Sequence, residues 1–444
     1  MASFPTRVEM DTGRRLSPSQ IFDITAARET SLSRLLMVYI STGLFFMLLP
    51  GTFLGVWNLL AISSRRAPTS VSPAWLQAHG HAQIFGWIGS FILGIGFYSI
   101  PKLRQLRPFA LSLGWTCWAL WTSGVTMRWF SSVYAWQWRW LLPLSAALEL
   151  TAFLMFFRAV SRHRPQDSGK SRLDEWIFVV IAGCAGLLLT LLLNLGSSIY
   201  LALRAASPDL PAAFDQRLLV VETWGFLVPF VWGFSAKWLP IFLGLRPVRG
   251  RVLLSAVGLN SAGVLAALAG LPIAAVTLLL AGMAMAVAAL GILGPPERPP
   301  KTKGVHSSFP LFIRAAYLWG MNAASLALWA ALSAHSQGIW GASRHALTVG
   351  FLATMVFGIG QRVLPAFSGM RLLFSTRLMF GSMLLLTLGC LLRVTCEILA
   401  YHNFLPSAWS LLPASAIIEM TAVTLFALNL SLTFLRERHV TNAV

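Results

Sequence analysis

Twelve apolar runs, each about as long as the roughly 20 residues that a helix needs to cross a bilayer, are parted by short polar breaks along this chain. They fall near 35–62, 77–100, 109–127, 138–157, 176–203, 218–243, 252–270, 273–293, 310–332, 343–365, 378–399 and 408–434. Segments of this length and polarity satisfy their backbone in lipid only as helices or closed barrels. An all-α polytopic membrane protein is therefore expected, with residues 1–33 as a polar N-terminal segment, 34–434 as one transmembrane domain and 435–444 as a tail. The weakest break is Gly270-Leu271-Pro272, between runs seven and eight.

Composition agrees. Hydrophobic residues make up 56% of the chain and charged residues only 11%, against about 25% charged in a soluble domain. The net charge of +19 would suit a nucleic-acid binder if the cations formed one stripe, but they sit in loops. The N-terminal segment, the loops after runs two, four, six, eight and ten, and the C-terminus hold 23 of the 34 Lys and Arg, against seven in the alternate loops. By the positive-inside rule both termini are then cytoplasmic, in the inner membrane of a bacterium. No nucleic-acid partner is expected. Cys117, Cys184, Cys390 and Cys396 lie inside apolar runs and form no CxxC pair. The N-terminal segment does not read as a cleavable signal peptide, and no nucleotide loop, serine elbow or zinc motif is present.

The chain resembles itself. Run two carries His81-Ala82, Gly86, Gly94-Ile95-Gly96 and Pro101; run ten carries His345-Ala346, Gly350, Gly358-Ile359-Gly360 and Pro365 at one constant offset. Run six fits the frame with Gly225, Gly233 and Pro240, and Val220 stands at the histidine position. Runs four and twelve share Leu142-Pro143, Ser145-Ala146 and Glu149 with Leu412-Pro413, Ser415-Ala416 and Glu419; run eight keeps Leu271-Pro272 but has Leu278 at the Glu position. Three pseudo-repeats of four helices are expected, about 34–157, 176–293 and 310–434, parallel in the membrane because each holds an even number of spans.

Titratable groups inside a membrane are costly and default to a functional reading. His81 and His345 are expected at one depth near the outer face, where two neutral imidazoles suit the axial positions of a haem iron. His79 lies two residues earlier and faces the other way, so one of the pair reaches a given haem. The bland alternative is interfacial histidines bonded to water or backbone.

At these residues the chain resembles subunit I of the haem-copper oxidases. The run Ala78-His79-Gly80 with Ile84-Phe85 is similar to that family's haem-ligand motif on helix two. The runs His79-Gly80-His81-Ala82-Gln83-Ile84-Phe85-Gly86, Arg344-His345-Ala346-Leu347-Thr348-Val349-Gly350 and Trp232 to Pro240 look more like the NnrS proteins, oxidase relatives associated with haem, copper and nitric-oxide stress. The departures are as informative. The family's His-x-His pair on helix ten reads Ser343-Arg344-His345. Its copper-binding run on helix six falls on Val220, Val221, Glu222, Thr223 and Trp224, without the histidine or the tyrosine, and helix seven has no histidine.

The resemblance implies one haem b, ligated by His345 and by either His79 or His81, with copper left open on the remaining histidines and no complete binuclear centre. It implies electron transfer, sensing or protection linked to nitric oxide or respiration, with respiratory or c-type cytochromes as partners besides the lipid. Any enzyme here would be an oxidoreductase other than an oxygen reductase of the usual kind. Glu222 matches a carboxylate of proton delivery and is the catalytic candidate; its alternative is a protonated carboxyl bonded to a neighbour. Arg128, Arg139, Arg344 and Trp75 are the outer-side candidates for haem propionates, because residues 400–407 hold His402 and no Arg. Lys237 and Arg362 read as snorkelling anchors, and Trp115, Trp118 and Trp121 as a packing stripe. Two rival readings carry no cofactor: a twelve-helix transporter, whose intramembrane carboxylates would be its ion sites, and an accessory subunit that keeps the scaffold.

Overall fold

The computed structural model describes residues 18–103, 109–161, 174–334, 336–369 and 371–436. The first part of the N-terminal segment, the cation-rich loop 162–173 and the end of the tail lie outside them. The described chain is helical throughout, with no strand among the described residues. Among the described residues, eleven helices are long and apolar enough to cross a membrane: α1 (Asp23–Arg65), α2 (Pro73–Leu103), α4 (Trp138–Ser161), α5 (Glu175–Arg204), α6 (Ala212–Leu243), α7 (Gly250–Leu268), α8 (Pro272–Leu290), α9 (Phe309–Leu332), α10 (Gly338–Phe367), α11 (Thr376–Tyr401) and α12 (Ala408–Leu435). Between α2 and α4 lies α3 (Leu111–Tyr134), whose polar and Trp-rich sequence lowers its hydropathy. This is a multi-pass helical membrane architecture. Several expected boundaries move, α6 starting at Ala212 and α10 at Gly338 among them. The first helix begins well before residue 34, at Pro18, and α3 runs beyond residue 127. The weak break holds, because Gly270 takes a positive φ of 78° that glycine accepts without strain and Pro272 starts α8.

One packing pattern occurs three times. Within each group of four the first helix packs on the second and the third on the fourth: α1 on α2 and α3 on α4, α5 on α6 and α7 on α8, α9 on α10 and α11 on α12. The fourth helix of each group then meets the first of the next, α4 on α5, α8 on α9 and α12 on α1, which closes a ring. The helices α2, α6 and α10 face one another across an apolar cavity of about 130 Å³, with Phe91, Phe230 and Met355 among its walls.

Each of these three helices is widened by a π-helical stretch: Ala82–Gly89, Val221–Leu227 and Ala346–Ala353. The first begins right after His81 and the third right after His345, the matched histidines. π-widening leaves backbone carbonyls short of a helical donor, and side chains of α3 and α7 supply one. Trp121 Nε1 donates to Phe85 O at 3.0 Å, and Asn260 Nδ2 donates to Trp224 O at 2.7 Å. Hydropathy carries no trace of these stretches.

Candidate functional site

Helix α1 has a π-stretch of its own, Met47–Phe53, around Pro50. Proline removes one donor from the helix, and the loosened carbonyls turn to side chains. Thr52 Oγ1 donates to Met47 O at 2.8 Å and Trp129 Nε1 to Pro50 O at 3.1 Å. Gly51 O takes His79: Nδ1 of the ring lies 2.8 Å from it. One turn on, Gly55 faces the same ring, and a Cβ there would come within 2.6 Å of His79 Cε1. The glycines let α1 close on His79.

His345 is built similarly on α10. Its Nδ1 lies 2.9 Å from Gly341 O and 3.3 Å from Oε2 of Glu397 on α11. A carbonyl only accepts, so Nδ1 carries the proton in both His79 and His345. The Nε2 lone pairs are then the ones free to bind a metal, the arrangement by which metal-ligating histidines are usually oriented. His345 and Arg393 lie near enough to His79 for their charges to bear on its ring.

His81 lives elsewhere. It is 7% exposed, its Nε2 sits 2.9 Å from Glu149 Oε1, and its ring stacks on Phe85 with centroids 4.4 Å apart. Its Nε2, unlike that of His79, is held by a carboxylate. Of the two histidines left open by the sequence, His79 is the one whose Nε2 is free.

Around His345 lies a buried polar cluster that periodicity did not single out. Glu397 is 6% exposed, and Arg393 Nε lies 3.3 Å from its Oε2. Arg393 Nε and Nη1, Glu397 Oε2 and Glu419 Oε1 are buried without a hydrogen-bond partner. Orphaned polar atoms are rare in a finished interior. Apart from the repeat that marks Glu419, their sequence signal is an Arg and a Glu four residues apart inside an apolar run.

A second cluster, where α3 and α4 approach α5 and α6, follows the same plan. Arg128 is 4% exposed and its Nη1 donates to Ser198 Oγ at 3.1 Å. Gly124 makes room for Glu149, and Gly389 for Glu419; in each case a Cβ would meet the carboxylate's Cγ at 2.7 Å. In the middle group the matching contact is Gly263 on Leu279, one residue after the Leu278 of the sequence alignment, and carries no charge. Glu222 lies in the π-stretch of α6, 6% exposed, with Arg128, Glu149 and Asp215 as its charged neighbours.

The other candidates are already engaged or exposed. Trp75 Nε1 donates to Val133 O at 3.0 Å. Arg139 donates to Ala202 O and Ala205 O. Arg344 is exposed on α10, within electrostatic reach of Asp215 and Glu397. His79 and His345 each keep an Nε2 without a hydrogen-bond partner among the described residues, the donor that an axial haem ligand uses. Copper, which the histidines left open, finds no group of three or more His, Cys, Asp or Glu arranged to hold a metal among the described residues.

A family model described as a domain of unknown function, DUF8744, matches residues 239–432. That stretch holds His345, Arg393, Glu397 and Glu419 but neither His79 nor His81. No curated protein matches the chain.

Proposed function

We propose that this is a haem-binding, NnrS-type protein of a bacterial inner membrane, built as three parallel units of four helices on the plan of haem-copper oxidase subunit I. Its termini are cytoplasmic, and His79 and His345 hold one haem b. One observation carries this reading: each ring donates Nδ1–H to a glycine carbonyl, which leaves both Nε2 atoms for iron. Haem bound there supplies one-electron transfer, and two protein ligands leave the iron no open position. The chain's own part is to orient two imidazoles and hold a compensated charge beside one. The resemblance makes nitric-oxide response or respiration the setting and respiratory or c-type cytochromes the electron partners.

The test is a reduced-minus-oxidised visible spectrum and a pyridine haemochrome assay on detergent-purified protein from haem-replete cells. A b-type alpha band that is lost in His79→Ala and in His345→Ala, and kept in His81→Ala, is the expected result. Protein without haem overturns the reading and leaves the transporter or accessory role. Strong carbon monoxide binding overturns the closed iron.

A further inference from the structure

We infer that Glu397 is a positioning residue that makes His345 the more electron-rich of the two imidazoles and so biases the haem toward its oxidised state. This rests on the haem proposed above. Both rings give their Nδ1 proton to a carbonyl, but they differ in the charge that lies beside it. His79 has the neutral carbonyl of Gly51 at 2.8 Å. His345 has the carbonyl of Gly341 at 2.9 Å and in addition Glu397 Oε2 at 3.3 Å. A carboxylate held against the Nδ1–H edge polarises the ring and raises the basicity of the far nitrogen, and greater donation with nearby negative charge favours the higher oxidation state of iron.

The contact is built rather than incidental. Glu397 is buried, and Arg393 on the same helix faces its Oε2 at 3.3 Å, a charge partner for a carboxylate in a place where an unpaired one is costly. Gly341 is the residue that admits it, because a Cβ there would lie 1.9 Å from Glu397 Oε1. The shared scaffold does not require the carboxylate. In the frame that matches Gly124 with Gly389, Arg393 corresponds to Arg128, while Glu397 corresponds to Ser132. The related cluster thus keeps its arginine and omits this acid.

The experiment is a redox titration of the full-length holoprotein, followed at the alpha band, with electron paramagnetic resonance of the oxidised haem. Glu397→Gln is expected to raise the midpoint potential and shift the low-spin g-values, with haem content unchanged. Glu419→Gln, which removes a carboxylate whose charge bears on His345 without a bond to it, is expected to move the potential less and leave the g-values alone. Unchanged potential and g-values in Glu397→Gln, or equal effects in the two variants, overturn the inference while the haem assignment stands. If Glu397→Gln loses haem, Glu397→Asp decides: a midpoint at the wild-type value with haem in place overturns it. A wild type without haem removes both proposals.

Discussion

Nε2 of His81 lies 2.9 Å from Oε1 of Glu149, and this contact separates the roles of two histidines that stand two residues apart on one helix. Glu149 is fully buried, so without His81 its carboxylate has lost its main partner. Breaking a buried pair by removing one side costs about 3–5 kcal/mol. His81→Ala should therefore melt well below wild type, and still carry haem. His79→Ala should show the reverse, a near-normal melt after haem loss is allowed for, and no alpha band. Thermal denaturation and haemochrome content, measured on the same preparations, check both.

Gly55 and Gly80 both neighbour His79 in the fold or the chain, yet they meet different surroundings. A methyl group at Gly55 would lie 2.6 Å from His79 Cε1, whereas one at Gly80 meets nothing within 4 Å. Gly55→Ala should displace the ring and reduce haem occupancy several-fold. Gly80→Ala should leave it unchanged and, since alanine suits a helix better by up to about 1 kcal/mol, hold or slightly raise the melting temperature. Haem-to-protein ratios of the two variants give the comparison.

The helices and most of their breaks were legible because hydrophobic length is a local property and needs no partner. The choice between His79 and His81 was not. They lie on opposite sides of one helix, the local Ala78-His79-Gly80 resemblance favours one and the repeat the other, and only the neighbours that the fold delivers, Gly51 for His79 and Glu149 for His81, tell their free nitrogens apart. The self-similarity pointed to His81, since it is His81 that matches His345 by offset, yet the ring with a free Nε2 is its neighbour. Glu397 was missed for a related reason. It has no counterpart in the other groups, so the repeat carries no sign of it. Arg393 was counted among the cations within spans, with no hint that α11 aims it at Glu397.

The contact of α5 with α6 depends on a glycine that carries no chemistry. A Cβ at Gly186 would sit 1.9 Å from the carbonyl oxygen of Gly225, and backbone cannot swing aside as a side chain can. Overpacking costs about 1–3 kcal/mol, and Gly186→Ala should reach the upper end of that range. Gly196, on the same helix with open space around it, is the control. Lower yield and a lower melting temperature for Gly186→Ala alone are the expected outcome of a thermal-shift assay in detergent.

The unequal spread of cations predicts which end of the bundle lies on which side of the membrane, and single cysteines can read it. Ser207, after α5, lies at the end that holds His79 and His345; Glu297, after α8, lies at the other, and both are exposed. The native Cys117, Cys390 and Cys396 are buried, which keeps the background low. With Cys184 replaced by Ser, Ser207→Cys should react with a membrane-impermeant maleimide in cells whose outer barrier has been opened. Glu297→Cys should stay unlabelled until the inner membrane is permeabilised, because the loops with the greater load of Lys and Arg remain in the cytoplasm. The opposite labelling pattern would invert the bundle, and would put the haem at the cytoplasmic face, out of reach of a periplasmic cytochrome.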